Sequence, residues 1–317
     1  MKERKYYLDN IRWITVALVI IYHIIYIFNC SGVITNMDVK GIPIMDTFLI
    51  YVYPWFMCLL FVISGMASKY SLEKRNNKEF IKDRAKRILV PSIVGCFAYG
   101  WICGVVTNYY VDIFAGNGAS IPGFIKYFIY CLMGIGPLWY CHVLFIASIL
   151  IVLIRKIDKK NIIEEFCKKI KIWMLIPIAF IVWGSSFILN APMITVYRFG
   201  IYLLMFLLGY YVFSNEIIQE KLQKYASTLI TVSGIIGIIY VIKFYGQNYA
   251  ADEVLQNGFT NIYLWIAIIA ILSFGKKYLN FNNKLSQYMT KNNFCFYVLH
   301  YSVVLLLGFA TVNYLNN

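Results

Sequence analysis

A chain of 317 residues that is 61% hydrophobic and only 14% charged, with a mean hydropathy of +0.67, excludes a water-soluble globular fold and fits an all-α, polytopic membrane helical bundle. The formal net charge of +14 does not point to nucleic acid as a partner, because all but four of the 29 lysines and arginines fall on one side of the predicted spans. The exceptions are Lys40, Lys126, Arg198 and Lys243, and by the positive-inside rule the N terminus is cytoplasmic.

Met1 to Arg12 is a basic lead, and the apolar run after it carries no small-residue cleavage site. Span one, about 12–30, is therefore a retained helix and not a secretory signal. Arg12 and His23 lie on one face of it, separated by roughly 16 Å along the axis. A cation at the inner surface is thereby aligned with a titratable ring near mid-depth. Asp9, three residues before Arg12, shares that face.

Span two, about 47–68, contains Pro54 and ends in FVISGM at 61–66, where Ser64 and Gly65 permit close helix contact. The loop KYSLEKRNNKEFIKDRAKR, 69–87, is too polar to be buried, and its second half reads as an amphipathic helix on the inner surface. Span three is predicted at about 88–110. Residues 124–133 are apolar but too short to cross, so they read as interfacial or re-entrant. Six further spans follow at about 138–154, 172–189, 195–213, 226–244, 259–274 and 293–314. The absence of a tandem repeat or inverted-half symmetry weakens a transporter reading, and residues 1–317 read as a single helical domain.

Ionisable groups inside a bilayer are costly and mark function. All three histidines fall within predicted spans: His23 near mid-depth, His300 roughly 10 Å from the inner surface and His142 roughly 7 Å from the outer one. Three depths argue against a shared metal site and suit a path through the membrane. Each ring either hydrogen-bonds a neighbouring helix or takes a proton from a hydroxyl nucleophile. Arg12 with Asp9 is either a positive-inside anchor or a pair held in a working geometry. Arg84 and Arg87, spaced R-x-x-R on one helix face with Lys86 between them, are either an ordinary basic loop or a grip for phosphate, whose oxygens guanidinium forks match. Arg198 breaks the charge rule on the outer side, and either snorkels to the surface or binds an acceptor in an outer cavity. Trp139 and Tyr140 are an interfacial belt or a stacking platform for a sugar ring. The eight cysteines are scattered singly without metal spacing, so they read as core residues. Neither a metal nor a permanently bound cofactor is expected.

Several of these segments together resemble the acyltransferase 3 family of bacterial membrane proteins. They are DNIR at 9–12 followed by His23, FVISGM at 61–66, R-x-x-R at 84–87 leading into ILVP, GPLWYCHVLF at 136–145 and FYVLHYSVV at 296–304. The resemblance covers nearly the whole chain, and the opening and basic loop look most similar to the branch that succinylates periplasmic glucans. It implies a multi-pass protein of the inner membrane that moves an acyl group from cytoplasmic acyl-CoA, a co-substrate, to an extracytoplasmic acceptor, mostly an envelope carbohydrate and in some members a lipid. The family's essential Arg and His of the first helix fall on Arg12 and His23, and its R-x-x-R on Arg84 and Arg87. The family usually has about ten spans against the nine counted here, so either a closing helix is missing or 124–133 crosses.

The resulting expectation is a membrane O-acyltransferase of acetyl or succinyl type, embedded in lipid. His23 acts as general base or transient acyl carrier, with Arg12 and Asp9 at the mouth. Arg84, Arg87 and Lys86 hold the donor's phosphates, while His142, His300, Arg198 and Trp139 support the site or meet the acceptor. The alternative is a carrier or flippase for an acylated or glycosylated lipid, without bond chemistry.

Overall fold

Each of the nine predicted apolar stretches forms helix in the computed structural model, which describes residues 4–192 and 196–315. The first three residues of the basic lead, and position 195 where span six is expected to begin, lie outside the described residues. Helix α1, Tyr6–Tyr26, contains neither proline nor glycine and runs unbroken. Pro43 opens α2, Pro43–Val52, at a position where a missing N–H is tolerated. A turn at Tyr53–Trp55, around Pro54, separates it from α3, Phe56–Leu72.

The polar loop is largely exposed, and its second half is helical as expected. Asn76 and Glu79 form a reciprocal cap that starts α4, Asn77–Arg84, and Phe80 is fully buried. A π-helical turn at Ala85–Leu89 joins α4 to α5, Val90–Tyr99, and α6, Trp101–Tyr110, follows with a 42° bend. Then come α7, Gly123–Met133, α8, Trp139–Ile157, α9, Ile162–Lys168, and α10, Leu175–Ser185. A small antiparallel pair, β1, Asn190–Pro192, and β2, Val196–Arg198, places Asn190 opposite Arg198. Helix α11, Phe199–Leu208, passes through a second π-helical turn, Gly209–Phe213, and bends by 90° into α12, Glu216–Lys224. The remaining helices are α13, Ala226–Phe244, α14, Asp252–Leu255, α15, Gly258–Tyr278, and α16, Lys284–Leu315.

Among the described residues six helices are long and apolar enough to cross a bilayer, or eight if each bent pair makes one crossing. The expected nine to ten is not reached. The stretch expected as span five is helical only over Ile172–Ser185, about 21 Å of rise against a hydrocarbon core of about 30 Å. The architecture is that of a helical, multi-pass membrane bundle.

Helix α3 is its axis, with every residue from Phe56 to Met66 buried, as expected of a helix packed on all sides. Glycines let it touch α11 backbone to backbone. A Cβ on Gly65 would lie 2.0 Å from the Phe206 carbonyl oxygen, and one on Gly209 would lie 2.1 Å from that of Val62. One end of the bundle gathers the cations: Lys5 and Lys276 meet Glu216, Lys69 meets Glu164, and Arg155 Nη1 lies 2.8 Å from the Tyr210 hydroxyl.

Candidate active site

The site is built where α1 lies along α16. Helix α16 begins at Lys284, well before the predicted start at 293, because Asn283 accepts the Ser286 N–H at 2.8 Å and keeps the polar first turns helical. His300 is consequently about 24 Å along its helix and His23 about 26 Å along α1. The two helices run side by side in the same direction, with Ile27 against Gly308 one step beyond the histidines. The rings meet, His300 Nε2 lying 3.2 Å from His23 Nδ1. This corrects the expectation of three separate depths: His23 and His300 form a pair. His142 does not join it, and is half-buried in α8.

Both rings are held by backbone. His23 Nδ1 lies 2.8 Å from the Val19 carbonyl oxygen, and His300 Nδ1 bonds the Tyr297 carbonyl. Tyr22 and Tyr301 stand edge-on to His23 at 5.1 and 5.0 Å between ring centres. Tyr301 in turn donates to Asn36 Oδ1. His23 thus packs against α16 and its neighbours.

From this pair a track of side chains leads toward the basic end. Tyr297 is 5.6 Å from His300, and Tyr140 is 5.4 Å from Tyr297, ring centre to ring centre. The Tyr140 hydroxyl is 2.9 Å from Ser64 Oγ. Ser68 Oγ donates to the Ser64 carbonyl at 2.7 Å and accepts from Arg84 Nη2 at 3.1 Å. Arg12 is within electrostatic reach of both Tyr140 and Arg84. Arg84, His300 and His23 are therefore linked through Tyr140, Tyr297, Ser64 and Ser68.

Of these four linking residues, sequence reasoning gave Ser64 and Tyr140 other roles and passed over Tyr297 and Ser68. Tyr140 and Tyr297 do fall inside two of the segments that carry the family resemblance, which is the signal that could have found them. The belt reading of the Trp139–Tyr140 pair fails, because Tyr140 is buried and Trp139 packs on Tyr202 at 4.8 Å. Its neighbours are aromatic side chains of the bundle.

The R-x-x-R pair does not make one grip. Arg84 turns inward over the Phe80 ring, with its Nε buried and without a partner, while Arg87 is 72% exposed with Nε 2.7 Å from Asp83 Oδ1. Lys86 is exposed beside it. The π-helical turn that begins at Ala85 lies between the two arginines and breaks the α-helical register that a shared face requires. Asp9 sits between two cations, 2.8 Å from Arg4 and 3.8 Å from Arg12. A cavity of about 190 Å³ opens beside it between α1 and the start of α16, lined by Arg4, Tyr6, Asp9, Gln287 and Lys291 among others.

At the opposite end Arg198 is only 7% exposed, with Nη2 2.6 Å from Asp252 Oδ1. It does not snorkel, because the carboxylate of α14 draws it in. Arg198 borders a small cavity shared with Tyr53, Cys58, Tyr202 and Thr260. Among the described residues no cluster of three or more His, Cys, Asp or Glu side chains is placed to hold a metal ion.

The glucans biosynthesis protein C of Escherichia coli (strain K12) is 23% identical to this chain, over 96% of it and 83% of the relative. The protein of the same name from Shigella boydii serotype 4 (strain Sb227) gives the same values. No solved structure matches. The family model of the acyltransferase domain matches residues 5–317. The chain therefore belongs to the acyltransferase 3 family and is a membrane enzyme that transfers acyl groups other than amino-acyl groups.

Proposed function

We propose that the protein moves an acetyl- or succinyl-type group from acyl-CoA, entering at the basic end, to a hydroxyl of an acceptor arriving from the opposite end. The basic end faces the cytoplasm of a bacterial inner membrane in this reading, supported by the one-sided distribution of lysine and arginine. The observation that carries the proposal is the run of contacts from Arg84 to the His23–His300 pair.

His23 takes the proton from the acceptor hydroxyl as its oxygen attacks the thioester carbonyl. The carbon–sulfur bond breaks, and the leaving thiolate receives that proton from His23. The new bond is an O-acyl ester. Arg84 and Arg12 hold or orient the donor's anionic part by charge-assisted hydrogen bonds, with Arg87 and Lys86 at the exposed rim and Asp9 steadying Arg12. A cell-envelope carbohydrate is the acceptor class, and the word glucans in the relatives' name supports a glucan among them.

The test is acyl transfer by purified protein in detergent, with labelled acetyl-CoA and succinyl-CoA and with free CoA thiol titrated. Thiol release that His23→Ala and Arg12→Ala abolish in folded protein is the expected result. Undiminished transfer by His23→Ala overturns the assignment, and movement of lipid-linked cargo without thiol release supports a carrier instead.

A further inference from the structure

We propose that His300 is a positioning residue of the reaction: its Nε2 lone pair takes the His23 Nδ1–H, which fixes the tautomer and leaves His23 Nε2 free as the base. The inference deepens the function proposed above and rests on His23 being that base. It follows from what each ring nitrogen faces.

A carbonyl oxygen only accepts, so His300 Nδ1, on the Tyr297 carbonyl, carries a hydrogen. In the neutral ring Nε2 then holds the lone pair. By the same argument His23 Nδ1, 2.8 Å from the Val19 carbonyl, carries a hydrogen. That hydrogen is shared with His300 Nε2 at 3.2 Å. One proton on Nδ1 leaves Nε2 of His23 bare, and no described residue hydrogen-bonds it.

The consequence is chemical. When the acceptor's hydroxyl proton moves to His23 Nε2, the ring becomes an imidazolium whose Nδ1–H already has two acceptors in place. His300 remains neutral throughout, and the proton leaves by Nε2 to the CoA thiolate. The bond between the rings becomes charge-assisted only while His23 is protonated. Stabilisation that grows during the reaction lowers the barrier and leaves ground-state binding unchanged.

Two substitutions of similar size and polarity separate this from simple packing. In His300→Gln the side-chain amide oxygen reaches about where Nε2 lies and can accept the His23 proton. In His300→Asn the shorter side chain leaves the amide near the Nδ1 position, out of reach. The expected result with labelled acetyl-CoA is a kcat for His300→Gln within about 3-fold of wild type. For His300→Asn kcat falls by about 10- to 100-fold with KM for the donor unchanged. Equal activity of the two variants, whether high or low, overturns the proposal. So does failure of both to elute as a monodisperse peak, because it makes the role structural. Full activity in His23→Ala overturns the underlying function instead, so the two failures are told apart.

Discussion

Arg84 and Arg87, three residues apart, are split by a π-helical turn into an inward cation on Ser68 and an exposed one paired with Asp83. The arginine that enters the bundle keeps a buried Nε without a partner, which is the feature an anionic donor can use.

Arg84→Lys is expected to raise KM for acyl-CoA by about 10- to 100-fold, the loss of one charge-assisted contact of about 1.5–3 kcal/mol. Arg87→Lys is expected to stay within about 2-fold of wild type, since an exposed ion pair contributes little. Ser68 keeps its bond to the Ser64 carbonyl in either variant, so the fold is not at risk. Steady-state kinetics on both proteins check the asymmetry, and equal effects at the two positions count against it.

The glycine contact of α3 with α11 supplies a stability prediction. Gly65→Ala places a methyl group 2.0 Å from the Phe206 carbonyl oxygen, and Gly209→Ala places one 2.1 Å from that of Val62. Neither obstacle is a flexible side chain, so the helices must part. Each variant is expected to lose at least about 1–3 kcal/mol, read as a lower melting temperature in detergent. Gly184→Ala is the control, because a Cβ there meets nothing within 4 Å.

How far the sequence could be read differs by element. Helix content was legible because apolar runs of span length leave few alternatives, and Arg12 with His23 was legible because both lie on one unbroken helix. The meeting of His23 with His300 was not, since it depends on where α16 begins, and a polar first turn looks like loop. The split of Arg84 from Arg87 depends on a π-helical turn that no residue in AKRIL announces. The snorkelling reading of Arg198 failed because its partner, Asp252, lies 54 residues away. Helix faces follow from local spacing, whereas contacts between distant segments need the packing.

A pH prediction comes from Glu164 on α9, which Lys69 of α3 reaches. Burial pushes its carboxyl up, but the hydrogen bond and charge of Lys69, with Lys168 adding to them, outweigh this and hold it below the ordinary 4.5. A carboxyl lowered in the folded state contributes stability that is present above its unfolded value and is lost as pH falls through its folded one. Wild type is therefore expected to melt higher than Glu164→Gln at pH 7. The gap should close as pH drops below about 4.5. A gap that is constant from pH 7 to pH 3 would contradict the pairing.

Arg198 and Asp252 make the last case. The guanidinium is 8% exposed and its Nη1 has no partner, while Asp252 is 58% exposed and supplies its one close acceptor. Replacing the carboxylate by an amide leaves a buried cation facing neutral acceptors, the amide oxygen and the Ala250 carbonyl at 3.4 Å. Asp252→Asn is accordingly expected to cost about 1.5–3 kcal/mol. Arg198→Met removes cation and debt together, and it should be the milder change even though it deletes the larger group. Melting curves of the two variants in detergent settle the order. If Arg198→Met proves as damaging as Asp252→Asn, the arginine contributes packing or contacts beyond its ion pair.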